Sequence, residues 1–464
     1  MLADTGLGLV SELKAKLGWP LLQIVPVAFV AYNLLWLIHK SFFSSLRKIP
    51  GPFLARISRV WEMRKTATGN IDEIIMDLHK CHRPIVRIGP NRYDFDTMEA
   101  AKIIYRIGST LPKADYYIPF GLPSFPNLFD GVDGQTAILK EELQRFSDQK
   151  QVIDLPQFLQ YYVFDAIGVI TSMGMMESNS DTNGACGALD AMWHYASMMA
   201  YIPHMHAWWL WLFSPLPIES PIQGLTEIKA TELSDDASLK GGNNFLAKLL
   251  LMEKEGKVTS RETQQAIGLN IGAGSHTTAN ALSPILYYLY TNPRTLQCLR
   301  EELDICVKVD PLSFQQSQSM LYLQAVIKEA LRLHPGVGTQ LTRVVPKVGL
   351  VIEGQSFPEG TEVGVNAWVL YHKKSIFGVD ASEFRPERWL ETGENLNIGG
   401  SFTFGAGSRS CIGKNIRNLE MSRAIPQIVR NFDIEINRGE MILKNECWWF
   451  VKPEYKAMIK TQAS

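Results

Sequence analysis

The sequence predicts a mainly α-helical fold with small β-sheets, preceded by one N-terminal transmembrane helix. Three observations predict it. The longest periodic segments, near 154–173, 261–290, 293–309, 318–334 and 413–432, carry apolar residues at helical spacing. The β signals are short, an alternating stretch at 85–96 and Gly-punctuated pieces within 342–367 and 433–460. Trp19 to Ile38 form a mostly apolar run, about the length that crosses a bilayer as a helix.

Composition bounds the function. The chain has 464 residues, 46% of them hydrophobic, and a formal net charge of −1, with a pI near 6.8. A large core is possible, and a nucleic-acid partner is excluded for want of a basic excess. The 6 cysteines are Cys81, Cys186, Cys298, Cys306, Cys411 and Cys447. None forms a CxxC pair, which argues against a zinc knuckle or a disulfide framework and for a reducing compartment. All but Cys411 read as buried structural thiols.

Along the chain, residues 1–44 read as a membrane anchor and its flanks, and 45–464 as one catalytic domain. A cleaved signal peptide is disfavoured, because charged residues precede the apolar run and no small-x-small cleavage site follows it. Lys48-Ile49-Pro50-Gly51-Pro52 predicts a stiff, non-helical spacer. Residues 85–96 predict a β-hairpin around Gly89-Pro90-Asn91, with Asp96 capping the next helix. Residues 115–130 are rich in Pro, Gly and aromatics and read as a loop beside an apolar pocket. His204 and His206, among many Trp and Met, read as packing rather than metal ligands. Residues 216–243 are polar and weakly patterned. The long helix over 261–290 runs through Gly272-Ala273-Gly274 and carries Pro284.

The strongest chemical signal is Phe404-Gly405-Ala406-Gly407-Ser408-Arg409-Ser410-Cys411-Ile412-Gly413. A buried thiolate that ligates a metal needs backbone N–H groups aimed at the sulfur. Gly407 and Gly413 permit tight turns. A helix starting just after Cys411 points its positive end at the sulfur. Arg409 offers a cation for a carboxylate, and Phe404 can shield the sulfur from water. A Gly-rich turn around a structural cysteine would need only part of this pattern.

With these residues the chain resembles the cytochrome P450 family, and other family marks follow in order. Glu329-Ala330-Leu331-Arg332 matches its E-x-x-R; alone this would be an ordinary surface pair. Phe384-Arg385-Pro386-Glu387-Arg388-Trp389 resembles its second, proline-containing motif. The resemblance implies that Glu329, Arg332 and Arg388 form a buried network locking the cysteine loop. It also implies that Cys411 ligates the iron of haem b, and that Arg343 and Arg409 meet the haem propionates. Ala273-Gly274-Ser275-His276-Thr277-Thr278 resembles the family's A-G-x-[D/E]-T-T. Ala273 and Gly274 would leave room over the haem, and Thr277 would carry a hydroxyl that helps deliver protons to the oxygen site. His276 stands where the family has an acid. Its imidazole can relay protons near neutral pH; otherwise water carries them.

Segments 343–346, 359–372 and 384–391 look most like the fungal, membrane-anchored branch that includes pisatin demethylase. That resemblance implies monooxygenation of a small lipophilic secondary metabolite with O2. It implies NADPH–cytochrome P450 reductase as electron donor, with cytochrome b5 as a further candidate. It places a single-pass anchor in the endoplasmic reticulum membrane and the catalytic domain in the cytosol. One departure is large. After Asn127-Leu128-Phe129 the family carries a helix with Trp or His and then Arg, the Arg meeting a propionate; here part of the helical region after about 133 is missing. Two other readings stand beside monooxygenase: His276 in the acid position allows a haem-thiolate isomerase or dehydratase that does not use O2, and the missing segment allows a non-catalytic protein of P450 type with impaired haem binding.

Overall fold

The computed structural model describes residues 45–464 apart from 83, 107–110, 121–131, 168–174, 182–183, 207, 209–244, 307–311, 392–401, 437–442 and 463–464. Its principal helices are α1 Ile71–His82, α2 Met98–Ile104, α3 Val132–Gln149, α4 Leu155–Ile167, α5 Ala185–Met199, α6 Ser260–Thr291, α7 Pro293–Cys306, α8 Leu321–Leu333 and α9 Lys414–Asn431. The strands are β1 Ile85–Gly89, β2 Arg92–Phe95, β3 Val152–Asp154, β4 Arg343–Val344, β5 Leu350–Ile352, β6 Gln355–Phe357, β7 Glu362–Val365, β8 Phe432–Ile436, β9 Lys444–Cys447, β10 Val451–Glu454 and β11 Lys456–Thr461.

α6 begins at a reciprocal cap. The Thr259 hydroxyl accepts from the Glu262 N–H, and the Glu262 carboxylate accepts from the Thr259 N–H. Its apolar residues Ala281, Leu282, Ile285, Leu286 and Leu289 are all buried, against Phe158, Leu159 and Tyr162 of α4 and Met421, Ala424 and Ile425 of α9. The helix stays intact through Pro284, and the Ser283 carbonyl accepts from the Tyr455 hydroxyl at 2.8 Å.

The strands form small sheets. One has the order β1-β2-β7-β4, another β3-β11-β8, and two are two-stranded, β5-β6 and β9-β10. β1 and β2 are the expected antiparallel hairpin, and β2 runs parallel to β7 with Phe95 beside Val365. A second core fills the space beneath this sheet, with Tyr93, Phe95, Phe357, Val363 and Val365 buried together.

Two expectations are corrected, and a third gains its contacts. Asp96 does not cap α2. Thr97 does, accepting from the Ala100 N–H, while the Asp96 carboxylate holds the Lys373 ammonium at 2.8 Å. A cap must sit next to the first helical residue, and it is Thr97, not Asp96, that adjoins Met98. The 48–52 segment is non-helical past Lys48, as expected, and it is fastened to the body: the Arg87 N–H donates to the Pro50 carbonyl at 2.7 Å, and a Cβ on Gly51 would lie 2.1 Å from the Arg87 carbonyl. Among the cysteines only Cys186 and Cys447 are buried; Cys81, Cys306 and Cys411 are exposed and Cys298 intermediate, all free. The rest of the 115–130 loop beyond residue 120, and the 19–38 apolar run, lie outside the described residues. Among the described residues no helix is long and apolar enough to cross a membrane. His206 hydrogen-bonds the Tyr195 hydroxyl at 2.9 Å, and no metal-binding cluster occurs among the described residues.

Candidate active site

The cysteine loop is shaped by its backbone. The Cys411 N–H donates to the Phe404 carbonyl at 2.7 Å, and the Ser410 N–H to Gly407 at 3.2 Å. Gly407 has φ +66°, and a Cβ there would lie 2.2 Å from the Tyr105 carbonyl, so only glycine fits. Gly413 differs from the expectation. It sits at an ordinary φ of −75° as the N-cap of α9, and a Cβ would merely touch the Cys411 sulfur at 3.8 Å. As expected, α9 begins just past the cysteine, which directs its dipole toward Cys411.

The loop rests on a buried charge network. Glu329 and Arg332 are 0% and 1% exposed, so this pair is no surface ornament. Arg332 donates to both Glu329 oxygens at 2.9 and 2.8 Å, and Arg388 Nε to Oε1 at 2.8 Å. The Trp389 indole donates to Oε2 at 2.8 Å. Arg332 Nη1 also reaches the carbonyls of Tyr371 and Ala381, and Arg388 Nη1 that of Phe377. The Tyr371 hydroxyl meets Thr403 at 3.1 Å, which carries the network to the turn that opens the cysteine loop. A buried ionic cluster is tolerable when its polar atoms are satisfied in this way.

Three cations gather nearby. Arg343 is buried, stacks 5.2 Å from the Tyr105 ring centre and uses Nη1 on the carbonyls of Leu341 and Thr342. Lys113 bridges to Arg343 across the backbone. Burial, then the like charges of Arg343 and Arg409, hold the Lys113 ammonium below its ordinary range. Such a cluster favours an anionic partner. Lys113 was not singled out from the sequence, where an isolated lysine before an aromatic loop carries no signal.

On α6, Ala273 is exposed and Gly274 and Thr277 are half-buried, whereas Ser275, His276 and Thr278 are buried. The helix does not open here; the Thr277 hydroxyl donates back to the Ala273 carbonyl at 2.8 Å. His276 turns to a different face. Its Nε2 lies 2.5 Å from Asp190 Oδ1 on α5 and 3.2 Å from the Gln160 amide, and Asp190 Oδ2 meets the Lys452 ammonium at 3.0 Å. Burial alone would raise the Asp190 carboxyl, but the hydrogen bond and charge of His276, with Lys452, outweigh it and hold the carboxyl below its usual range. Asp190, Trp193, His276, Asn280, Trp448 and Phe450 are among the walls of a cavity of about 180 Å³.

A mainly helical body with this cysteine loop, charge network and distal helix is the architecture of a haem-thiolate oxygenase. A cytochrome P450 family model matches residues 118–461, and the chain belongs to that family. Two proteins of Fusarium vanettenii described as pisatin demethylase are each 76% identical, one over 100% of both chains and the other over 99% of this chain and 98% of its own. A cytochrome P450 monooxygenase of Aspergillus terreus is 30% identical over 84% of this chain and 90% of its own. A crystal structure of a cytochrome P450 superposes with a TM-score of 0.72 at 19% identity, covering 89% of this chain and 98% of that one. The chain is thus a P450 monooxygenase that oxidises a lipophilic substrate, and its family binds haem through a cysteine thiolate.

The residues present fit that group. Haem b brings an iron that takes a thiolate and two carboxylates that take cations. A thiol stands at a helix start, and Lys113, Arg343 and Arg409 form a cluster whose mutual repulsion an anion would relieve.

Proposed function

We propose that this chain is a membrane-anchored monooxygenase that demethylates a lipophilic secondary metabolite, with Cys411 as the iron ligand. The observation that carries the reading is the Cys411 loop, fixed by Phe404 and Gly407 beside three convergent cations. The 76% identity to two pisatin demethylases points to demethylation and makes pisatin the first substrate to try. Haem supplies O2 activation and insertion of one oxygen atom into a C–H bond. Hydroxylating a methyl group borne on oxygen would give a hemiacetal, whose oxygen–carbon bond then breaks to leave the free hydroxyl and release formaldehyde. Phe404, Gly407, Gly413, Ala273 and Gly274 line and shape the haem site, and Arg343, Arg409 and Lys113 hold the propionates. Electrons come from NADPH–cytochrome P450 reductase, with cytochrome b5 as a further donor. Reconstitution with reductase, NADPH and pisatin tests this; demethylated product with stoichiometric formaldehyde supports it, and NADPH consumption without either refutes the demethylase reading.

The anchor, residues 1–44, holds the domain 45–464 on the cytosolic face of the endoplasmic reticulum. Deleting residues 1–40 is expected to move the protein to the soluble fraction with its haem retained. A truncated protein that resists carbonate wash would mean that another segment holds the membrane.

Protons reach the oxygen site through His276. The contacts of His276 with Asp190, and of Asp190 with Lys452, give an imidazole linked to a partly exposed carboxylate and ammonium. Among the described residues His276 Nδ1 is buried without a partner, which leaves that nitrogen free to exchange a proton. His276→Ala should keep haem but yield less product and more hydrogen peroxide per NADPH; Asp190→Asn should do the same more weakly, and unchanged coupling in both would sink the route. The pair also has a pH signature. Because the folded Asp190 carboxyl is depressed, its stabilisation is complete above the unfolded value of about 4 and is lost as pH falls through the folded one. The stability gap between wild type and Asp190→Asn should therefore narrow as pH falls into the acid range.

One observation supports the reading of impaired haem binding. The alignment with the first pisatin demethylase spans 506 positions, against 464 residues here. Restoring the helix that bears the Trp/His…Arg pair after Asp133 is expected to raise haem per mole of folded protein. Equal occupancy with and without it would make the segment dispensable, with Lys113 among the cations that suffice.

A further inference from the structure

Arg417 lies one turn into α9, just past the cysteine loop, and it is buried, only 8% exposed. A guanidinium is expensive to bury without an anion. Its Cζ lies 5.0 Å from the centre of the Phe404 ring, on the residue whose carbonyl accepts the Cys411 N–H. Among the described residues its Nε and Nη2 have no hydrogen-bond partner. Two acidic groups flank it, Cys411 and Glu420. Burial pushes the Glu420 carboxyl up, against the pull of Thr278 and Arg417. Of the two, Cys411 has the larger charge interaction with Arg417, and it belongs to the loop on which the guanidinium sits.

We propose that Arg417 is a positioning residue that sets the electronic character of the haem centre, its buried positive charge lying beside the Cys411 sulfur and favouring the reduced iron. The physics is direct. Reduction adds one negative charge to the thiolate-bound centre, and a fixed neighbouring cation stabilises the extra electron. The same cation draws charge from the sulfur and weakens its donation to iron. The inference rests on Cys411 being the iron ligand, which the CO spectrum of the wild type reports separately.

The test uses the haem-loaded full chain and compares wild type, Arg417→Lys and Arg417→Gln. The measurements are the ferric/ferrous midpoint potential and the iron–sulfur stretching frequency by resonance Raman. Arg417→Gln should weaken the reduction equilibrium by tenfold or more, about 59 mV toward negative potential for one electron, and raise the iron–sulfur frequency. Arg417→Lys should restore most of both. The vibration is read on whatever fraction of a variant holds haem, so partial loss does not obscure it. A wild-type potential and frequency in Arg417→Gln overturns the proposal. So does a lysine variant that matches glutamine, since a packing role ignores charge. Complete loss of haem in both variants overturns it too, making Arg417 a determinant of haem retention instead. A wild type without the thiolate CO signature would instead overturn the assignment of Cys411.

Discussion

Cys411→Ser is expected to lose the thiolate signature and to reduce monooxygenation to the limit of detection. Serine keeps the size and the polar loop, so the backbone bonds of Cys411 and Ser410 to Phe404 and Gly407 survive. What disappears is the soft anionic sulfur, which a hydroxyl cannot replace as a donor to iron. The measurements are haem content, the CO spectrum of the reduced protein and product per NADPH. A variant that still oxidises substrate with a thiolate-type spectrum would mean that another cysteine is the ligand; Cys186 and Cys447, both buried, are too enclosed for that role.

Glu329→Ala has the largest expected effect on stability. It leaves the guanidiniums of Arg332 and Arg388, 1% and 2% exposed, without their shared carboxylate, and orphans the Trp389 indole. Removing one partner of a buried ion cluster costs about 3–5 kcal/mol. The damage should reach the haem site, because Arg332 holds the Tyr371 carbonyl and the Tyr371 hydroxyl holds Thr403, one residue before Phe404. Denaturant midpoint and haem content should therefore fall together. A midpoint within about 1 kcal/mol of wild type would show that the cluster is replaceable by packing, as some buried ion pairs are.

These two predictions rest on residues that the sequence announces. The spacing around Cys411 and the order of the Glu329 and Arg388 motifs survive as linear patterns because local backbone geometry demands them. The hairpin at 85–96 was legible for the same reason: alternation and a turn are local. Contacts across long separations that no motif marks are not legible. Asp190 lies 86 residues from His276 and 262 from Lys452, and nothing in its own neighbourhood marks it. Arg417 looked like an ordinary basic residue on a helix; only packing shows that it is buried with unpartnered nitrogens. Cys186 and Cys447 are buried as expected, but the exposure of Cys81, Cys298 and Cys306 is not legible, because a thiol's apolar character is too weak to fix its side of a helix. His276 was legible as a departure from a pattern, while the carboxylate it meets comes from a different helix.

The central claim is that Cys411 binds haem iron as a thiolate. The CO spectrum of the reduced full-length protein, measured against haem content, tests it most directly. A thiolate-shifted Soret band in the wild type, absent from Cys411→Ser, is the predicted result; a wild type that binds no haem, or binds it with an unshifted band, would contradict it.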